Sequence, residues 1–260
     1  MHTPVALVTG SSSGIGLAFA RALAARRYDV VLSARREDRL RGIAAELERG
    51  YGRTTEVLVA DLATADGLEQ VAARLGDADR PIDLLVNNAG FGTAGALWEL
   101  EPDAEQREIH VNVVAVVRLT QAALAAMVSR GRGGVINVSS VAGYQPTPWG
   151  ATYGATKAFV SSFTHAVHEE LRGTGVRAMV LAPGYTHTEF HEQAGLPVDH
   201  SPELIWQDPE TVVAAALRAY DRGRVVCTPG PLNTVAAAFS AMLPAGITRR
   251  AAGVVTRRTH

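Results

Sequence analysis

A tyrosine and a lysine stand four positions apart in the stretch GATYGATKAF, residues 150–159. On a helix, Tyr153 and Lys157 would share one face, with their Cβ atoms about 5–6 Å apart. A phenol has an ordinary pKa of about 10 and is a poor base at neutral pH, but a neighbouring ammonium favours the phenolate and lowers that pKa. The spacing therefore predicts proton transfer at a substrate oxygen. The alternative is an ordinary amphipathic helix with a core tyrosine and a solvated lysine.

Two further polar residues have types that suit such a site. Ser140 ends the apolar run GGVINVSS, and Asn112 lies in the apolar stretch HVNVVAVVRLT. Taken singly, each has a structural explanation, as a strand-end turn and as a polar residue inside a helix. Ser139 precedes Ser140, and because side chains alternate along a strand, only one of the two serines faces the site.

The elements that must position these residues alternate along the chain. Short β-branched runs are separated by helix-length segments, which predicts an α/β fold with a doubly wound parallel sheet, a Rossmann fold of about seven strands with helices on both faces. Ligands of such folds bind at the carboxyl ends of the strands, where the polar residues above stand. The predicted strands are 5–10, 29–35, 55–62, 82–90, 133–140, 176–184 and 224–230, and the named helices are 16–27, 37–51, 104–130, 152–172 and 209–222.

Composition favours a single domain that binds a small molecule. The 260 residues are 47% hydrophobic, enough for one large core over residues 1–260. With 25 basic and 26 acidic residues the formal net charge is −1, which favours neither nucleic acid nor an anionic membrane as partner.

Cysteine, histidine and hydropathy patterns exclude several other classes. Cys227 is the only cysteine, so no internal disulfide forms, and the start MHTPVALVTG has no signal-peptide pattern, which together predict a cytoplasmic location. The eight histidines form no HExxH or Cys/His pattern, so no metal site is predicted. The weakly polar run 234–247 is too short to cross a bilayer, and no membrane span is predicted.

The first turn, TGSSSGIG at residues 9–16, predicts a phosphate-binding loop. Its glycines allow positive φ and close backbone approach to a pyrophosphate, which the N-terminus of the next helix stabilises. A plain glycine-rich turn is the alternative, but a strand before and a helix after favour dinucleotide binding. The predicted contacts are Gly10, Ser12, Ser13, Gly14, Ile15 and Gly16.

The end of the second predicted strand, LSARRED, indicates which dinucleotide is preferred. An acid at this position would accept a hydrogen bond from a ribose 2′-hydroxyl, whereas an arginine would pair with a 2′-phosphate. Because Arg35 and Arg36 stand there, we expect NADP(H) to be preferred over NAD(H), with Arg35 the better candidate. A solvated basic corner is the alternative.

The order and spacing of the later motifs resemble the short-chain dehydrogenase/reductase family. The spacing of the first-turn glycines after Thr9 carries the resemblance together with NNAG, Asn112, NVSS, YGATK and PGYTHT, which cover residues 5–190. Together with the arginines after the second strand, the resemblance implies an NADP(H)-dependent oxidoreductase that interconverts a carbonyl and a secondary alcohol. It selects Ser140, thirteen residues before the tyrosine, as the catalytic serine.

The resemblance also assigns roles to individual residues. Tyr153 would be the general acid/base, Lys157 would bind the nicotinamide ribose, Ser140 would hold the substrate oxygen, and Asn112 would hold a water linking Lys157 to solvent. Asp61 would reach the adenine, although the residues alone favour a helix cap. The other implied cofactor contacts are Leu62, Asn88, Ala89, Gly90, Pro183, Gly184, Thr186 and Thr188.

Two segments and the assembly are predicted less specifically. Residues 186–208 resemble the family's substrate lid, and apolar residues there favour a hydrophobic substrate or pack the lid against the body. Residues 228–260 suit a lid, an interface or a tail, and helices 104–130 and 152–172 suit a homodimer or homotetramer. An NADP(H)-sensing regulatory protein and a structural subunit are the alternative functions. The apolar lid residues are Phe190, Leu196, Leu204, Ile205 and Trp206.

Overall fold

Seven parallel strands form one sheet in the computed structural model of the protein, in the order β3-β2-β1-β4-β5-β6-β7. The chain winds outward from β1 in one direction and then from β4 in the other, so the carboxyl ends of β1 and β4 border the switch point where such folds bind ligands. This confirms the predicted doubly wound sheet. The strands are β1 Val5–Thr9, β2 Asp29–Ala34, β3 Thr55–Val59, β4 Leu84–Asn87, β5 Gly133–Val138, β6 Val176–Leu181 and β7 Val226–Cys227.

The structure describes residues 3–190, 205–231, 233 and 234. The middle of the predicted lid, with Leu196 and Leu204, lies outside the described residues, as does most of the predicted C-terminal segment 228–260.

Helices connect the strands, and two of them differ from prediction. The segment between β3 and β4, unassigned from the sequence, contains α3, and the predicted helix 104–130 is interrupted by a π-helical turn, His110–Val114. Short 3₁₀ turns follow β4 and β5, at Leu97–Glu99 and Val141–Tyr144. The α-helices are α1 Gly14–Ala25, α2 Glu37–Tyr51, α3 Ala65–Gly76, α4 Pro102–Ile109, α5 Ala115–Arg130, α6 Ala151–Glu170 and α7 Pro209–Asp221.

Both faces of the sheet are covered by helices. Alternate strand residues enter different cores: Leu32 packs with α1, α2 and α7, whereas Val31 packs with α3, α5 and α6. This two-sided burial explains why the strands are almost continuously apolar.

The stretch Pro102–Arg130 is long and apolar enough to cross a bilayer by length and composition alone. In the structure its apolar residues, such as Leu119 and Met127, are buried in the core formed with α3 and the sheet. Packing within the fold accounts for the apolar composition of this stretch.

A buried polar network ties α5 and α6 to the carboxyl ends of β4 and β5. Asn87 and Asn137 are register partners, and Asn87 Nδ2 donates to Asn137 Oδ1 at 2.9 Å and to Thr120 Oγ1 at 3.1 Å. Asn137 Nδ2 in turn donates to Thr164 Oγ1 at 2.9 Å. Because Ser140 follows β5 directly, this network fixes the strand end that carries it.

We predict that Asn137→Ala lowers the free energy of unfolding by about 2–3 kcal/mol, because Asn87 and Thr164 lose buried partners. Urea unfolding measures the change. As a control, Arg172→Ala removes an exposed ion pair with Glu169 and should change stability by less than about 0.5 kcal/mol. A loss below about 1 kcal/mol for Asn137→Ala would contradict a stabilising role of the network.

Candidate active site

The loop between β1 and α1 has the geometry of a phosphate cradle. Gly10 and Gly14 have φ of +65° and +53°, which favours glycine. A Cβ on Gly16 would lie 2.3 Å from the Gly10 carbonyl oxygen and 2.5 Å from Asn88 Nδ2. Each glycine is therefore required by the local backbone, and the loop offers bare main chain to a ligand.

The loop after β4 braces this cradle. Thr9 Oγ1 accepts hydrogen bonds from the backbone nitrogens of Asn88 and Ala89, both at 3.0 Å, and Asn88 Nδ2 donates to the Thr9 carbonyl at 2.9 Å. The predicted cofactor residues Asn88 and Ala89 thus lie beside the cradle, and the Asn88 amide supports its shape.

The N-terminus of α1 suits an anionic ligand. Ser13 is the N-cap residue, its side chain makes no capping hydrogen bond, and the first turn of the helix has no acidic residue. Free N–H groups and the helix dipole favour a phosphate at such a position. The Ile15 side chain packs against the core that lies between the sheet and helices α1, α2 and α7, so only its backbone lines the loop. These features fit a dinucleotide pyrophosphate.

An anion-binding corner lies at the end of β2. Arg36 donates to Ser12 Oγ at 3.1 Å and forms an ion pair with Glu189 at 2.9 Å, and Arg39 pairs with the other Glu189 oxygen at 2.5 Å. Hydrogen bonds from Arg39 and Arg36 hold the pKa of the Glu189 carboxyl below its usual value. Arg35 is exposed and has no polar partner in the described part of the chain. The geometry thus favours Arg36, where the sequence favoured Arg35.

The end of β3 shows that the cap interpretation of Asp61 is wrong. Thr64 is the N-cap of α3 and accepts a hydrogen bond from Gly67 N at 3.1 Å, whereas Asp61 Oδ1 accepts from Ala63 N at 2.9 Å in a local turn. The Leu62 side chain is buried in the core that lies between the sheet and helices α3, α5 and α6, so only its backbone can face a ligand.

Tyr153, Lys157 and Ser140 come together where β5 meets α6. Lys157, the only lysine of the chain, is 5% exposed; its Nζ donates to the Val138 carbonyl at 3.0 Å and lies 5.7 Å from the centre of the Tyr153 ring. Ser140 Oγ accepts a hydrogen bond from Ala142 N at 3.1 Å, and the Ser140 side chain acts to lower the pKa of the Tyr153 hydroxyl. Ser139 instead contacts the Lys157 carbonyl at 2.7 Å, which agrees with its predicted structural role.

Asn112 lies in the π-helical turn His110–Val114 that interrupts the predicted helix 104–130. Its Nδ2 donates to the Phe91 carbonyl at 2.8 Å and to Thr156 Oγ1 at 3.1 Å. A Cβ on Gly90 would lie 2.9 Å from Asn112 Oδ1 and 3.3 Å from Lys157 Nζ. Asn112, Gly90 and Lys157 therefore converge, and Asn112 anchors the loop after β4 to α6.

Burial controls the protonation of the pair. It raises the pKa of Tyr153 to about 12, against the opposing effect of the Ser140 side chain, and lowers the pKa of Lys157 to about 8. Tyr153 is partly exposed as a residue, but the packing around it still desolvates its phenolate form. In the protein alone, desolvation of the phenolate thus shifts the Tyr153 pKa in the direction opposite to the one expected from Lys157. At neutral pH Tyr153 is a proton donor.

The segment after β6 covers the same edge. Pro183 accepts a hydrogen bond from Val141 N at 3.0 Å, and Thr186 bridges to Gln207. Gly184 lies so close to Asn233 that a Cβ would meet its side chain at 2.4 Å.

The residues that follow reach the cradle and the tyrosine. A Cβ on Gly14 would meet Thr188 Cγ2 at 2.8 Å, and the rings of Phe190 and Tyr153 are 5.3 Å apart. The described start of the predicted lid therefore spans the cleft from α1 to α6.

The sequence does not single out Arg39, Glu189 or Glu108, which the structure brings to the site. Arg39 and Glu189 are 150 positions apart, so no local pattern pairs them. Glu108 stands four positions before Asn112, a spacing that shares a helix face, but nothing local indicates that it is fully buried.

Comparison with known proteins identifies the family. A family model described as "short chain dehydrogenase" matches residues 4–197. The chain belongs to the short-chain dehydrogenase/reductase family. Very-long-chain 3-oxoacyl-CoA reductase of Bos taurus is 33% identical to this family member over 244 residues, which cover 92% of this chain and 75% of the relative.

Solved structures agree with this assignment to the short-chain dehydrogenase/reductase family. A short-chain dehydrogenase from Sphingobium yanoikuyae in complex with NADPH has a TM-score of 0.84 and 34% identity, covering 93% of this chain and 96% of that one. The bulky-bulky ketone specific alcohol dehydrogenase from Comamonas testosteroni has a TM-score of 0.80 and 30% identity, covering 94% and 96%. The chain is an oxidoreductase of the short-chain dehydrogenase/reductase family, and this family likeness supports a nicotinamide cofactor.

We predict that Lys157→Met stabilises the protein at pH 7 by roughly 1–3 kcal/mol. The pKa of Lys157 is about 8 in the folded protein, against an ordinary value of 10.5. Burial of the ammonium therefore destabilises the folded state fully below pH 8, and this destabilisation disappears as the pH rises to 10.5. Urea unfolding at pH 7 and pH 10 should show the advantage of the variant shrinking at the higher pH. An advantage that is absent or independent of pH would contradict the assigned burial cost.

Proposed function

We propose that the protein is an NADP(H)-dependent oxidoreductase that interconverts the carbonyl and secondary alcohol of a small hydrophobic substrate. The observation that carries this proposal is the placement of Tyr153 beside the buried Lys157 and Ser140, at the sheet edge that also forms the phosphate cradle. A site of this kind can move a proton at a carbonyl oxygen while a second group moves the hydride.

The side chains divide the reaction as follows. A bound nicotinamide supplies or accepts the hydride. Tyr153 Oη donates its proton to the carbonyl oxygen during reduction and takes it back during oxidation, while Ser140 Oγ orients that oxygen. Lys157 would bind the nicotinamide ribose, and its positive charge opposes the build-up of negative charge on Tyr153. Asn112 fixes the loop beside them and would hold the water through which the proton reaches solvent.

Preference for NADP(H) is supported by the corner at the end of β2. Arg36 and Arg39 already bind a carboxylate, that of Glu189, so their guanidinium groups suit the 2′-phosphate of NADP(H). The Sphingobium yanoikuyae relative binds NADPH, and a putative gluconate 5-dehydrogenase from Beutenbergia cavernae holds NADP at low occupancy.

A hydrophobic carbonyl substrate is supported by the aromatic rings at the mouth of the cleft. Phe190 faces Tyr153, and Trp206 packs on His187 and Tyr185 at 4.8 and 5.3 Å. Relatives named for bulky-bulky ketones and very-long-chain 3-oxoacyl-CoA agree with this class. The cytoplasmic location and the homodimeric or homotetrameric assembly stay predictions.

Tyr153→Phe should reduce NADPH-dependent carbonyl reduction about 10²–10⁴-fold, because the packing stays and the donated proton is lost. The substrate is first found by following NADPH oxidation across a panel of bulky ketones and 3-oxoacyl compounds. Fluorescence titration should show unchanged NADPH binding by the variant. Near-normal turnover by Tyr153→Phe would refute the role of the tyrosine, and NADPH binding without turnover of any compound would favour a sensing protein.

Arg36→Ala should raise the KM for NADPH about tenfold or more relative to that for NADH, because a charge-assisted pair with the 2′-phosphate is lost. Arg35→Ala is the matched control and should change neither constant appreciably, since Arg35 is exposed. Steady-state kinetics with both cofactors measures the ratio. A larger effect for Arg35→Ala than for Arg36→Ala would instead support Arg35, the candidate that the sequence favoured.

A further inference from the structure

Two carboxyl groups lie beside the active site and have none of the roles assigned above. Glu105 and Glu108 are on α4, and Glu108 is fully buried. Glu108 Oε2 accepts hydrogen bonds from the backbone nitrogen and the hydroxyl of Thr93, both at 2.8 Å. Glu105 accepts short hydrogen bonds from the hydroxyls of Thr93 and Thr152.

The two threonines stand on either side of Tyr153. Thr152 precedes it on α6, and Thr93 follows Gly92, which lies so close to the tyrosine that a Cβ on Gly92 would be 3.0 Å from Tyr153 Cδ2. The acid pair, Glu105 and Glu108, therefore fastens the loop after β4 to α6 at the place where Tyr153 is held between them.

Burial raises the pKa of the Glu108 carboxyl, and the charge of Glu105 adds to this rise, whereas hydrogen bonds from Thr93 and the charge of Lys157 oppose it. Glu108 Oε1 has no hydrogen-bond partner among the described residues.

The charge of Glu108 acts on the catalytic pair. It raises the pKa of Lys157, which burial lowers. It also raises the pKa of Tyr153, and there it adds to the effect of burial. The charged groups that act on Glu108 itself are Glu105 on its own helix and Lys157 on α6. The loop residues 91–96, FGTAGA, contain no ionisable side chain.

We propose that Glu108 is a positioning residue for the catalytic pair: through Thr93 and Glu105 it fixes Tyr153 between the loop and α6, and its buried carboxylate is a counter-charge for Lys157. The inference rests on the proposed function, in which Tyr153 and Lys157 move and stabilise the transferred proton. Glu108 contacts neither the substrate nor the reacting atoms in this role.

The decisive variant is Glu108→Gln, which keeps an acceptor for Thr93 and removes the charge. Because Lys157 is the only lysine, protein labelled with [13Cε]lysine gives a single NMR signal, whose titration reports the Lys157 pKa without any turnover. We expect the Lys157 pKa of Glu108→Gln to be lower than that of the wild type by roughly half a unit or more. Glu101→Gln, an exposed acid at the start of α4, removes the same charge and should leave the Lys157 pKa unchanged.

Activity measurements on two variants separate the positioning role of Glu108 from the effect of its charge. Glu108→Gln should retain the maximal rate of carbonyl reduction within about threefold, and the alkaline limb of its pH profile should shift to lower pH. Glu108→Ala loses the hydrogen-bond acceptor for Thr93 as well, and its kcat should fall about tenfold or more. Equal Lys157 pKa values in wild type and Glu108→Gln overturn the proposal, as do equal losses of kcat in both Glu108 variants. The NMR result stands even if Tyr153→Phe refutes the proposed function, so the two failures are distinguishable.

Discussion

Burial of one ammonium group constrains the whole active site. Removing Lys157 from water is unfavourable, and the nearby groups compensate through the Val138 carbonyl and the negative charge of Glu108. The same lack of water raises the pKa of Tyr153 further above neutral. A rigid environment is needed to hold a cation and a phenol together in this state, because solvent would otherwise enter and screen them.

The sheet provides that rigidity. The carboxyl ends of β4 and β5 are fixed by the buried network of Asn87 and Asn137, and the residues that follow these strands build two walls of the cleft. Thr9 joins the cradle to the loop after β4, which Asn112 and Glu108 then fasten to the helices. The phosphate cradle and the proton-transfer site are therefore parts of one hydrogen-bonded framework. A displacement of one strand end would change the geometry of both sites.

Much of this architecture follows from patterns in the sequence. Apolar strands between helices predict the doubly wound sheet because each pattern is local and repeated, and the glycines of the first turn predict the cradle because positive φ requires them. The prediction for Asp61 illustrates the limit. A cap and a turn need the same residue type, and only the backbone geometry assigns the cap to Thr64.

By itself the sequence determined the fold, the cradle and the spacing of Tyr153 and Lys157, because these depend on the periodicity and conformational preferences of neighbouring residues. The tertiary structure decided the direction of the Tyr153 pKa shift, since burial raises it. It also decided that Arg36 turns toward the anion corner and that Glu108 is buried beside the catalytic pair. Those outcomes depend on partners and on water exclusion contributed by distant parts of the chain, which no local pattern contains.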